Sequence, residues 1–243
     1  MKRVYVYLMI LTAVGFSSAY GRFRFDALTW FSYGAYMSEG DTVIEDGVFI
    51  ERGYFTFRGD LNEKATVRLT LDVVNAPDLF KYAYFDYKFI DAFAVRLGMT
   101  GVNFGHLPLW KYPIPAKSLV DTAKAASSAD LGIDFYGKLS FMSYNLQFFN
   151  GGGYKKWASD DTVGLTFAGV ASSIFHFLKS DNLNLDLGLS YKYTYVDTPP
   201  THAFDGFIEF KLYGFGLVVE YLGIYDTAKD ADSALAHYIN GDI

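Results

Sequence analysis

The sequence predicts an all-β chain that crosses a membrane as an antiparallel β-barrel, and three observations predict it. Apolar residues make up 51% of the chain, yet beyond the N-terminal segment no apolar run approaches the roughly 18 residues that a spanning helix needs. Polar and apolar residues alternate with period two over long stretches. The connections between those stretches switch between short turns and long loops, as in outer-membrane barrels, whereas a soluble β-sandwich has no reason to sort its loops. Backbone polar groups in hydrocarbon must be paired internally, so a chain without spanning helices crosses only as a closed sheet.

The elements follow in order. Lys2 and Arg3, an apolar stretch from Val4 to Phe16, and the small residues Ser17-Ser18-Ala19 read as an export signal, so residues 1–19 are expected to be a signal peptide and residues 20–243 the barrel. Eleven strands are predicted: Ala27 to Ser38, Val48 to Gly59, Lys64 to Val74, Lys81 to Ile90, Ala92 to Thr100, Asp130 to Leu139, Phe141 to Asn150, Thr162 to Leu178, Leu183 to Val196, Ala203 to Tyr213 and Phe215 to Tyr225. The alternation is clearest where Lys64, Thr66, Arg68, Thr70 and Asp72 interleave with Ala65, Val67, Leu69, Leu71 and Val73. The third long loop, residues 101–129, carries Pro108, Trp110, Pro113 and Pro115 and is far longer than an ordinary connection, so it is expected to fold inward and narrow the lumen.

If the apolar face meets lipid, the lumen receives Arg52, Arg58, Lys64, Arg68, Asp72, Asp86, Lys88 and Arg96 from strands two to five. Lys138, Lys192, Lys211, Asp134, Asp186, Asp205, Glu209 and Glu220 follow on later strands. Trp110, Lys111, Lys117 and Lys124 are the candidate constriction on the loop. Such a mixed lining holds a hydrated channel and biases ions by local potential. The competing reading is a set of salt bridges bracing a plugged barrel. Tyr54, Tyr82 and Tyr84 fall on the inward face, while Phe55, Phe57, Phe85, Phe89, Phe135 and Tyr191 fall outward, as interface aromatics do.

Other chemistries find little support. There is no Cys, and the four His are scattered without metal-ligand spacing, so neither a metal nor a cofactor is expected. A barrel hydrolase needs a Ser and a His paired in space, and His176 beside Ser172 and Ser173 is the only local candidate; the chain is expected not to be an enzyme. Gly151-Gly152-Gly153 has no following helix to present a phosphate site and reads as a loop tip. A net charge of −6 does not suit nucleic acid.

Several segments, taken in order, resemble the phosphate-selective porin O and P family. Phe49-Ile50-Glu51-Arg52-Gly53-Tyr54-Phe55-Thr56-Phe57-Arg58-Gly59-Asp60-Leu61 is similar to the family's second strand, where basic residues alternate with aromatics before a Gly-x-Leu turn. Leu69-Thr70-Leu71-Asp72 and Val95-Arg96-Leu97-Gly98 follow as the next strands would. Asp130-Leu131-Gly132-Ile133 and Tyr144-Asn145-Leu146-Gln147-Phe148-Phe149-Asn150-Gly151 resemble the hairpin beyond the long loop. The resemblance implies a homotrimer of barrels of about sixteen strands, with the third loop folded inward. The chain departs from the family after Gly98, where Met99-Thr100-Gly101-Val102-Asn103-Phe104 replaces a basic, Phe-Lys-x-Pro-Phe-like stretch, which speaks against phosphate selectivity.

The expectation is therefore an outer-membrane porin of a Gram-negative-type bacterium, surrounded by outer-membrane lipid and passing small polar or anionic solutes, phosphate-like anions among them. The alternative is a non-conducting structural or adhesion barrel. Thr227 to Asp242 reads as a polar segment with short helical character in place of a closing aromatic strand, so the chain is expected to be truncated, with about 11–12 strands of a larger barrel.

Overall fold

Period-two alternation gives each strand one polar and one apolar face, and the computed structural model pairs the strands, all antiparallel, into one sheet. The structure describes residues 4–8, 16–20, 22–37, 43–74, 80–106, 119–154, 167–180, 182–195, 200–213, 215–226 and 232–241. In order these form β1 (Val4–Leu8), β2 (Phe16–Tyr20), β3 (Phe23–Met37), β4 (Val43–Asp60), β5 (Ala65–Asp72), β6 (Phe80–Ile90) and β7 (Phe93–Gly101). A short helix, α1 (Leu119–Thr122), precedes β8 (Ala129–Lys138), β9 (Met142–Phe149), β10 (Phe167–Lys179), β11 (Leu183–Tyr195), β12 (Thr201–Leu212), β13 (Phe215–Asp226) and β14 (Asp232–Gly241). From β3 to β14 each strand pairs with the next in sequence, while β1 and β2 both pair with β3. Among the described residues no strand pair joins the two ends of the sheet.

The eleven expected strands are β3 to β13. The helical character expected after Thr227 is corrected: Asp232–Gly241 is a strand, in continuous register with β13 from Phe215↔Gly241 to Ile224↔Asp232. An unpaired edge offers a full row of backbone partners, and that pairing outweighs the weak local preference of an Ala- and Asp-containing segment. β1 and β2 occupy the segment that reads as an export signal.

Loop lengths sort as expected. Short connections lie at 61–64, 91–92, 139–141, 180–182 and 213–214, all at one end of the sheet, and the longer ones lie at the other. In the first turn Asn62 Oδ1 accepts the Lys64 and Ala65 N–H groups at 2.8 and 2.9 Å, an Asx turn that closes the hairpin. Lys64 therefore sits in the turn, exposed, and not on the strand wall where the alternation puts it.

The two faces differ as lipid and water demand. Phe55, Phe204 and Ile208 on the apolar face are each more than half exposed. Phe85, Tyr87, Phe89, Phe93, Phe135, Phe148 and Phe167 form a continuous series of ring contacts at 4.8–6.4 Å across β6 to β10. So much contiguous apolar surface is untenable in water and is what a bilayer solvates. On the polar face Thr70, Asp72, Asp134, Gln147 and Glu220 are all within 1% of full burial, and part of the long loop lies against that face over β9 to β13.

Candidate functional site

The polar face is divided by the inward-folded part of the long loop. Val102, Phe104 and Val120 pack with Phe149, Ala168, Val170, Ala203 and Leu222, so the loop's apolar side chains rest on the inner wall of β9 to β13. Backbone bonds fix it there. Asn103 N–H donates to Gln147 Oε1 at 2.7 Å, Gly105 N–H to Ser190 Oγ at 3.1 Å, and His106 N–H to Glu220 Oε1 at 2.8 Å. Lys192 Nζ donates to the Ala125 carbonyl at 2.7 Å. Gly105 has φ +77°, and a Cβ there would lie 2.4 Å from Val120 Cγ2, so only glycine lets the loop approach the wall this closely.

Opposite the loop, β4 to β7 carry the basic wall. Arg58 and Arg68 are directly paired in the register, an arrangement of like charges that is unfavourable unless counter-charge or water intervenes. Arg58 has Asp26 at 3.8 Å, an ion pair too long for a hydrogen bond. Arg68 Nε donates to Thr70 Oγ1 at 3.0 Å, and its guanidinium lies 4.6 Å from the Tyr82 ring. These residues line, with Arg52, Tyr54, Tyr84 and the loop, a cavity of about 600 Å³.

Lys81 belongs to this wall and escapes the alternation. A register shift between Thr70 and Leu71 changes the pairing of β5 with β6, and Lys81 is buried next to the inward Tyr82. Its Nζ donates to Tyr54 Oη at 2.8 Å and sits 4.6 Å from that ring's centre. A bulge leaves no mark in the polar and apolar pattern, so no sequence signal marks it.

The remaining candidates separate into braced and peripheral groups. Arg96 donates to Asp86 Oδ2 through Nε and Nη2 at 2.8 and 2.6 Å, lies between the Tyr84 and Tyr136 rings, and has Asp134 at 3.8 Å. Tyr136 Oη also donates to Asp86 at 2.7 Å, so the charges of Arg96 and Asp86 largely cancel inside one network. Asp72 is buried at the far end of β5 and accepts from Val74 N–H at 3.3 Å. Lys88 pairs with Asp91 at an exposed short turn, where the Lys88 hydrogen bond and charge lower the Asp91 carboxyl pKa. On the loop, Trp110, Lys111 and Lys117 lie outside the described residues; Lys124 is exposed just after α1 with φ 54°.

Carboxylates concentrate on the opposite side. Asp205, Glu209 and Glu220 are buried on β12 and β13, with Lys211 at 3.2 Å and His106 Nε2 at 3.3 Å from Glu209 Oε1. His176 does not turn to Ser172 or Ser173; it bonds Ser143 and Asp186. Among the described residues no group of His, Cys, Asp or Glu has the arrangement of a metal site.

Comparison with protein families finds that residues 45–177 match the family described as Phosphate-selective porin O and P, a span of more than half of the 243 residues. Comparison with curated proteins and with solved structures gives no match.

Proposed function

The chain belongs to the phosphate-selective porin O and P family, and from that premise we propose that it is an outer-membrane porin through which small polar and anionic solutes diffuse passively. One observation carries the reading: Arg52, Arg58, Arg68 and Lys81 converge on a cavity between the sheet and the inward-folded loop. An ion in a narrow passage feels the lining charge more than charge beyond a Debye length of about 8 Å, so the overall −6 does not set its preference. The preference for anions is modest, because Arg96 is internally paired and the carboxylates of β12 and β13 face the same interior. The Met99 to Phe104 segment brings no added cation to the loop's entry, so phosphate-like anions pass without tight selection.

Residues 1–19 direct export and are removed, the exposed apolar face meets outer-membrane lipid, and the barrels associate as homotrimers. A structural or adhesion barrel with a blocked lumen is the competing account, and the packed loop core is its one support. Swelling of liposomes that contain the purified protein separates the two. A porin admits small organic anions faster than neutral sugars of equal size; no swelling with any solute refutes permeation.

A further inference from the structure

The short-turn end of the inner face holds three side chains that permeation does not use. Ser143 Oγ lies 3.1 Å from His176 Nε2, and His176 Nδ1 lies 2.7 Å from Asp186 Oδ1. A hydroxyl, an imidazole engaged through both nitrogens and a carboxylate, in that order, form the constellation of serine hydrolases, which is recognised by geometry and not by sequence order. Three consecutive strands supply it: Ser143 on β9, His176 on β10 and Asp186 on β11. His176 and Asp186 are register partners, and Ser143 pairs with Ile174, two residues before His176 and so on the same face.

The local structure favours a working arrangement. The register shift between His176 and Leu178 places a bulge beside the imidazole, a device that re-aims a side chain. Asp186 accepts from Nδ1–H, which leaves the Nε2 lone pair to accept the Ser143 O–H. The His176 and Asp186 side chains are 20% and 22% exposed, open enough for a small solute to reach. Lys138 on β8 is the register partner of Ser143, so a cationic residue neighbours the serine on the same face.

We propose that Ser143, His176 and Asp186 form a hydrolytic site for short, water-soluble carboxylic esters that enter the inner face. Ser143 Oγ attacks the ester carbonyl carbon as its proton passes to His176 Nε2. The bond to the alcohol oxygen breaks, and the alcohol leaves with that proton. Water, deprotonated by the same nitrogen, then releases the carboxylic acid and restores the serine. Asp186 acts through His176 as a positioning residue.

The test uses the full chain folded in detergent micelles, with a fluorophosphonate probe and p-nitrophenyl acetate. Heat-modifiable gel migration shows which variants are folded. The unmodified protein is expected to take up one probe, on Ser143 by peptide mass spectrometry, and Ser143→Ala to take up none. Ser172→Ala keeps labelling. Asp186→Asn lowers ester hydrolysis by about 10²-fold or more, and Asp186→Glu restores part of it. No labelling of the unmodified protein, or equal labelling of folded Ser143→Ala, overturns the proposal.

Discussion

Replacing Gly105 with alanine tests whether the loop is held against the inner wall. Gly105 has φ +77°, a conformation that costs an L-residue about 1–2 kcal/mol. The new Cβ would lie 2.4 Å from Val120 Cγ2 and 3.0 Å from Glu220 Oε1. Val120 is only 3% exposed and has no room to retreat, so overpacking adds about 1–3 kcal/mol. Together these weaken docking by about 2–5 kcal/mol, and since each 1.4 kcal/mol is tenfold, the docked state loses a factor of about 30 or more. The Gly105 and His106 N–H bonds to Ser190 and Glu220 are the first to be lost. Single-channel recording in a planar bilayer reads the result directly. The unmodified pore should hold one steady level, and Gly105→Ala should show a larger mean conductance with switching between levels. A folded Gly105→Ala pore with unchanged conductance and noise would refute loop docking as the constriction.

Further predictions follow from the same geometry. Arg96→Ala leaves Asp86 partly buried without its cation and should destabilise the folded protein by about 3 kcal/mol, read by urea unfolding from lipid vesicles; a change under about 1 kcal/mol would mean the network braces nothing. Phe85→Arg, on the exposed apolar face, should cost about 2–4 kcal/mol and impair assembly, whereas Thr66→Arg, facing inward beside Asp86, should assemble; equal tolerance of both contradicts the face assignment. Mass spectrometry of the protein from outer membranes should find Tyr20 as the first residue, and an intact Met1 would remove the export signal from the account.

Much of the fold was legible because period-two alternation and loop sorting are set by each strand's own residues. The inward set Arg52, Arg58, Arg68, Asp86 and Arg96 follows from parity alone, and the register places those side chains on one face. What parity cannot see is a shift in pairing. Lys81 joins the basic wall only through the irregularity opposite Leu71, and Lys64 leaves it because Asn62 closes the turn. Charge cancellation was hidden for a similar reason: Arg96 meets Asp86 across the β6 and β7 register, ten residues away in sequence. The Ser143 partner of His176 lies 33 residues upstream, beyond the local window in which Ser172 and Ser173 attract attention. Strand β14 is not legible in the sequence because its residues carry weak preference and its order comes from pairing with β13.

A conducting pore with a basic wall that favours anions shows itself in the reversal potential across a salt gradient. In planar bilayers the full chain should give discrete ohmic steps with modest anion preference. Replacing Arg52, Arg58, Arg68 and Lys81 together by alanine should shrink or reverse that preference, and Arg96→Ala alone, which uncovers the Asp86 charge, should shrink it by less. Absence of steps, or clear cation preference in the unmodified protein, would contradict the account.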